Sequence, residues 1–293
     1  MTSQDTGADG SGESPLGALT ERAGRIQSAH RLLRRSRREQ AGEFLAEGAQ
    51  AVREAVDAER RTPGTVRELY LTAAAAGRNV GLVRAAYAAG IEVTEVTERA
   101  AAALSDTVHP QGLVARCTVP GVTAAEVLAA GPRLVAVLVD TNDPGNAGVV
   151  IRLADAAGAD AVLFAGDAVD PYNPKAVRAS TGSLFHLPVA RVPDVVELLP
   201  LLSGAGLSVL ATTGAATVDL DEAQDGGVLD LPTAWLFGSE AHGLPADLAD
   251  GADERVAVPI YGRAESLNLA TAAAVCLYAS ARAHRGRRGA LSS

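Results

Sequence analysis

Residues 134–140 read Leu-Val-Ala-Val-Leu-Val-Asp, an apolar run in which no polar residue alternates before the closing aspartate. A strand with one wet face alternates with period two, whereas an unbroken, partly β-branched run suits a strand covered on both faces, as in a parallel sheet. Similar runs recur at 161–164, 186–189, 207–211, 234–237 and 255–258, and segments of helical period lie at 148–157, 174–181, 194–202 and 266–284. Strands alternating with helices predict an α/β domain built on a parallel sheet with helices on both sides.

The first half of the chain has a different rhythm. A basic helix is expected from about Leu19 to Arg38, a helix over 42–59, and strands at 66–71, 91–96 and 112–117, with helices near 79–89 and 98–104 between them. This is a smaller αβα unit. Pro120, Gly121, Gly131 and Pro132 punctuate the stretch that follows. The expected organisation is a disordered leader at 1–18, a first domain at 19–118, a linker at 119–133, the parallel-sheet domain at 134–284 and a flexible tail at 285–293. With 293 residues, 47% of them hydrophobic, the chain can fill two cores.

Cys117 and Cys276 lie far apart with no CxxC spacing, which argues against a disulfide framework or zinc site and for a reduced, cytoplasmic setting. The first residues lack the basic and apolar regions of a signal peptide. No apolar run approaches the roughly 18 to 20 residues that span a bilayer. A net charge of −9 speaks against a generic phosphate binder, yet Arg22 to Arg38 is rich in arginine, while acids crowd 219–230 and 247–254. Arg34, Arg35 and Arg38, with Arg178, are the candidate contacts should the partner be a nucleic acid. Charge alone weighs them evenly against an ordinary solvated helix, in a chain with one lysine, Lys175.

Three polar stretches, the first two glycine-bearing, sit where strands meet helices, the places where α/β proteins hold ligands: Asn146 to Arg152, Phe237 to Leu244 and Glu265 to Ala270. In the first, Asn146 is a candidate helix cap, Gly148 a point where a ligand approaches backbone, and Arg152 a cation near the same mouth. Any one of these alone reads equally as a cap and a surface arginine. In the second, Gly238 and Gly243 have the spacing of a phosphate loop but no lysine follows, and Gly238-Ser239-Glu240 is not a serine-hydrolase elbow. Asp143 to Gly148 does not fit a dinucleotide fingerprint. His30, His109, His186, His242 and His284 are scattered without ligand spacing, so structural roles are expected and no metal. In the third, Ser266 is a candidate cap of the last helix, and the alanines that follow allow close packing in a core or at a dimer contact.

In this order, the three stretches resemble those of the SpoU/TrmH family of SPOUT-class RNA 2′-O-ribose methyltransferases: an Asn six residues before an Arg, a Gly-Ser-Glu-x-x-Gly loop, and Ser-Leu-Asn opening the last helix. Asn173 to Ser183, followed by His186-Leu187-Pro188-Val189, is similar to a further family segment. Phe44 to Gly48 and Pro110 to Leu113 look like the family's RNA substrate-binding domain, akin to ribosomal kink-turn-binding proteins. The resemblance implies a trefoil knot near the carboxyl end, S-adenosylmethionine bent within the knotted loops, and a homodimer whose site is completed across the interface. Cofactor contacts implied by motif position are Thr212, Thr213, Gly214, Phe237, Gly238, Ser239, Glu240, Ile260, Ser266 and Leu269.

The implied reaction is methyl transfer to a ribose 2′-hydroxyl of structured RNA, with 23S ribosomal RNA as the expected substrate. Transfer RNA, or a non-catalytic ribosome-assembly role, are the alternatives, and self-resistance to an antibiotic stays open as a biological role. Arg152 matches the family's central catalytic residue. A guanidinium stays protonated and is a poor base, so its expected role is to stabilise the developing alkoxide and hold a neighbouring phosphate. Asn146, Glu240, Asn268 and Ser266 complete the expected catalytic set, with Asn146, Glu240 and Asn268 orienting Arg152 and the ribose.

Overall fold

The structure, a computed structural model, describes residues 17–214 and 216–291, without the side chains of 287–291. The expected leader lies outside the described residues except for Gly17 and Ala18, and the expected tail lies outside them at 292–293. The chain divides into two compact units, Met1–Val119 and Pro120–Ser293.

The first unit contains α1 (Gly24–His30), α2 (Arg35–Ala41), β1 (Glu43–Glu47), α3 (Ala49–Arg61), β2 (Val66–Leu71), α4 (Ala73–Arg78), α5 (Val80–Ala88), β3 (Val93–Glu95), α6 (Glu98–Ala103) and β4 (Leu113–Thr118). Its sheet has the order β1-β4-β2-β3, with β4 antiparallel to both neighbours and β2 parallel to β3. The helix expected over 42–59 is instead β1 followed by α3. Pairing with β4 overrides the helical preference of Leu45, Ala46 and Glu47, and Gly48, at φ +94°, turns the chain into α3.

The expected basic helix is likewise interrupted. After α1 comes a 3-10 turn at Arg31–Leu33, and Arg34 is extended before α2 begins. Arg38 folds back so that its Nη1 donates to the carbonyls of Leu32 (2.9 Å) and Leu33 (3.0 Å). Those acceptors would otherwise be unsatisfied where the turn ends. Arg38 is consequently buried, 3% exposed, and its expected role as an RNA contact is replaced by a structural one.

The second unit contains α7 (Ala124–Ala129), β5 (Leu134–Val139), α8 (Pro144–Ala157), β6 (Ala161–Ala165), α9 (Pro174–Ser180), β7 (Val189–Val192), α10 (Leu198–Gly204), β8 (Ser208–Thr212), β9 (Val218–Asp219), α11 (Leu220–Asp225), β10 (Thr233–Phe237), α12 (Ala246–Asp250), β11 (Glu254–Ala257) and α13 (Leu269–Leu291). Its strands form a parallel sheet in the order β7-β6-β5-β10-β8-β11-β9. Every residue of β5 is buried, as the unbroken apolar run requires. β7 starts three residues later than expected, because Ser183–Phe185 form a 3-10 turn and His186 is tied to Asp155 instead of joining the sheet.

Most of the expected linker is an element of this second unit. α7 carries a Thr123/Glu126 capping box and buries Ala124, Val127 and Leu128 in the core shared with β5, β6 and β10. At the other end, the helix continues through 285–291, where a tail was expected. Trp235 on β10 donates from Nε1 to Ser280 Oγ at 2.9 Å, fastening α13 to the sheet through a buried hydrogen bond.

Candidate cofactor cleft and active site

The strand order decides which loops meet. Because β5, β10, β8 and β11 are neighbours and parallel, their carboxyl ends deliver 140–143, 238–243, 213–214 and 258–268 to one edge of the sheet, the usual ligand position in such folds. A cleft of about 500 Å³ opens there, within the size range of small-ligand sites. Its walls include Thr212, Thr213, Gly214, Phe237, Gly238, Ser239, Glu240, Ile260, Ser266 and Leu269, which are all the residues named from sequence as cofactor contacts. Leu244, Val258 and Ala272 also line it. Single apolar residues flanking motifs carry no sequence signal of their own.

Local chemistry shapes each wall. Thr212 Oγ1 donates to the Leu236 carbonyl at 2.8 Å, locking the end of β8 to β10. Ser239 and Gly243 exchange backbone hydrogen bonds of 3.1 and 2.8 Å, closing a tight loop. A methyl group built at Gly238 would lie 2.2 Å from the Gly243 carbonyl carbon, so no larger residue fits that turn. Ser239 Oγ accepts the His242 N–H at 3.3 Å, which makes Ser239 a turn residue rather than a nucleophile.

The three motif stretches converge on Asn146. Its Nδ2 donates to Glu240 Oε1, and its Oδ1 accepts from Asn268 Nδ2 at 3.2 Å. Asn268 Oδ1 in turn accepts the Ala270 and Thr271 N–H groups at 2.9 and 3.4 Å. Asn268 is thus the cap of α13 in place of Ser266, which lies ahead of the helix on the cleft wall. The cap of α8 is likewise Asp143, not Asn146: Asp143 Oδ1 accepts the Asn146 N–H at 2.8 Å, with Pro144 at the helix start. Released from capping, Asn146 spends its amide on Glu240 and Asn268, two residues of the cleft wall. Lys175 pairs with Asp143 at 2.9 Å, and this hydrogen bond, followed by that from Asn146, holds the Asp143 carboxyl below its usual range.

Gly148 is buried and faces α9, where an added methyl would lie 2.2 Å from the Ala176 carbonyl oxygen. It serves close packing of α8 on α9, not the approach of a ligand. Arg152 is exposed, lies outside the cleft wall, and hydrogen-bonds Thr181 at the end of α9 at 3.5 Å. Among the described residues it shares no hydrogen bond with Asn146, Glu240 or Asn268. Arg178 on α9 is half-buried, Arg34 is exposed, and Arg35 is paired with Glu39 at 2.8 Å.

Three histidines are held by structural hydrogen bonds: His30 by the Ala103 carbonyl at 2.6 Å, His186 by Asp155 at 2.7 Å and His284 by the Leu231 carbonyl at 2.8 Å. Among the described residues no group of three or more His, Cys, Asp or Glu is placed to hold a metal ion, and no helix is long and apolar enough to cross a membrane. Both cysteines are buried and free, and burial pushes the Cys276 thiol up to about 12.

Comparison with known proteins accounts for both units. Residues 24–115 match an MRM3-like substrate binding domain, and residues 133–278 match the SpoU rRNA Methylase family. The chain is 32% identical to the 23S rRNA (guanosine(2553)-2′-O)-methyltransferase RlmP of Bacillus subtilis, over 87% of this chain and 94% of that one. It is 34% identical to a 23S rRNA (uridine(2479)-2′-O)-methyltransferase of Streptomyces viridochromogenes, over 90% and 91% of the two chains. The crystal structure of an AdoMet-bound rRNA methyltransferase from Sinorhizobium meliloti has a TM-score of 0.74 at 28% identity, covering 92% of this chain and 96% of that one. With its cleft at the strand ends and its three motif stretches joined at Asn146, the chain belongs to the SpoU rRNA methylase family.

Proposed function

We propose that this protein transfers the methyl group of S-adenosylmethionine to a ribose 2′-hydroxyl in 23S ribosomal RNA. The observation that carries the reading is the Glu240–Asn146–Asn268 hydrogen-bond chain, which joins all three motif stretches at the edge of the cleft. The cleft has the size and the mix of backbone and apolar surface that a nucleoside needs. Bound there, S-adenosylmethionine supplies an already activated methyl on a sulfonium.

The protein is left to position the ribose and to stabilise the oxygen as it loses its proton. Arg152, always charged, stabilises the developing alkoxide and clamps the adjoining phosphate, while Asn146, held at both ends of its amide, orients the ribose. Glu240 and Asn268 fix that amide. Arg34, Arg35 and Arg178 contribute contacts to RNA phosphates.

The active form is a cytoplasmic homodimer in which Arg152 of one subunit completes the site of the other. Support comes from exposed apolar side chains on two neighbouring helices, Val149 on α8 and Val275 and Tyr278 on α13. The chain end forms a trefoil knot; the insertion of β10 between β5 and β8, with β11 beyond β8, supports that reading. The experiment is methyl transfer to 23S ribosomal RNA, with 2′-O-methyl mapping and a parallel cofactor-binding titration. Arg152→Ala is expected to lower kcat by about 10²- to 10³-fold with cofactor affinity intact. A wild-type rate for this variant overturns the role of Arg152, and failure of the wild-type protein to bind S-adenosylmethionine overturns the reading as a whole.

A further inference from the structure

Among the described residues, three α-helices end on a residue in the left-handed region. α2 ends on Gly42 (φ +64°) and α8 on Gly158 (φ +76°), the residue type that adopts this conformation without cost. α9 ends on Thr181 (φ +52°). A β-branched residue there is a marked outlier, and such backbone strain persists where surrounding structure demands it, often near a site of function. The glycine that would relieve it is the very next residue, Gly182.

What a glycine would forfeit is the hydroxyl. Thr181 Oγ1 accepts from Arg152 Nη1 at 3.5 Å and donates to the Ala179 carbonyl at 3.4 Å. Among the described residues this is the hydrogen bond the Arg152 side chain makes. It is a long one, and hydrogen bonds at catalytic groups commonly shorten when substrate binds. The platform beneath is rigid. α9 lies against α8 through Gly148, Lys175–Asp143 pins one end of this seam, and His186–Asp155 pins the segment beyond its other end.

We infer that Thr181 is a positioning residue for methyl transfer: its strained backbone aims the hydroxyl at Arg152 and restricts the directions the guanidinium can take. The inference rests on the catalytic reading of Arg152 and adds a residue to it. Freed of this partner, an exposed arginine samples many rotamers, and a small misplacement of a stabilising charge is costly to the rate.

The test compares Thr181→Gly with Thr181→Ser in methyl transfer, alongside thermal melting, a cofactor titration and Arg152→Ala. Thr181→Gly is expected to melt no lower than the wild type and to bind S-adenosylmethionine unchanged, with kcat lowered by about tenfold and the KM values little altered. Thr181→Ser, which keeps the hydroxyl, is expected to stay within about twofold of the wild type. A structural role alone would move melting before kcat. Should Thr181→Gly misfold, Thr181→Ala against Thr181→Ser makes the same comparison. Wild-type kcat in Thr181→Gly with Arg152→Ala inactive overturns the inference and leaves the role of Arg152 standing. Full activity in Arg152→Ala overturns both, and a serine variant as slow as the glycine variant overturns the assignment to the hydroxyl.

Discussion

The two sheets of this protein handle polar groups in opposite ways. In the first unit charge goes inside: Glu68, 5% exposed, accepts from Tyr70 at 2.7 Å, from Thr94 at 2.6 Å and from Arg25, and Glu43 pairs with Arg116 at 2.6 Å. Burial and the neighbouring Glu68 carboxylate push the Tyr70 hydroxyl well above its ordinary range. In the second unit the central strands β5, β6 and β10 are almost wholly apolar, and the motif amides and carboxylate collect at the strand ends. The first arrangement specifies a mixed sheet by matching charges. The second leaves polar groups oriented but not consumed by the core, which is the condition for meeting a ligand.

The most disruptive way to break this contrast is to crowd the second unit. Gly148→Val places a branched side chain against the Ala176 carbonyl, and overpacking of this kind costs about 3 kcal/mol. Thermal melting should show that unit destabilised, with methyl transfer and cofactor binding lost together. Glu68→Leu attacks the first unit instead. It removes the acceptor of the Tyr70 hydroxyl and one of the two carboxylates that pair with Arg25, which keeps Glu92, an expected loss of about 2 kcal/mol in denaturant unfolding that comes chiefly from Tyr70 because Arg25 is 47% exposed. S-adenosylmethionine affinity should survive, and its loss would show that the cleft depends on the first unit's core.

Two arginines a turn apart sharpen the comparison. Arg38→Ala removes a buried donor to two carbonyls and should cost about 1–2 kcal/mol without lowering the salt dependence of RNA binding. Arg34→Ala should leave melting unchanged and reduce the slope of log affinity against log salt by about one. The reverse pattern would move the RNA contact to Arg38. The smallest effect concerns Asp143, whose folded pKa is lowered by Lys175. A depressed carboxyl stabilises the fold above its unfolded pKa, near 4, and loses that contribution as pH falls through the folded value. For so exposed a pair it is worth a few tenths of a kcal/mol, so Lys175→Met should flatten the acid limb of the melting curve only slightly.

Arg38 also marks the limit of what was legible in the sequence. Parallel strands announced themselves because an unbroken apolar run has few alternatives, and Gly238, Glu240 and Asn268 because their motif is rare. The first unit was harder: β1 has a helix-former's composition, and its partner β4 lies about seventy residues away, so only pairing reveals it. Which arginine faces water depends on where a turn leaves carbonyls exposed, and the residue type does not encode that. Caps failed by the same logic. Asn146 and Ser266 are good capping types, but Asp143 and Asn268 hold the geometry, leaving Ser266 on the cleft wall and Asn146 bonded to two of its residues. Thr181 lies inside the Asn173 to Ser183 segment, but nothing in the sequence singles it out there, since its interest lies in a backbone angle.

The order in which the strands are laid down has a consequence for synthesis. β5 is made early in its domain, yet its neighbour β10 is about a hundred residues away in sequence, and the cleft draws on residues from Thr212 to Ala272. Until β10 has left the ribosome, β5 exposes the edge that β10 fills, and such non-local pairing is slow to close. For about a hundred residues of synthesis the growing chain therefore carries an open apolar strand, and it cannot form the whole cleft until α13 has begun. Cofactor binding becomes possible only once the residues up to Ala272 have been made, so it reports on a completed cleft.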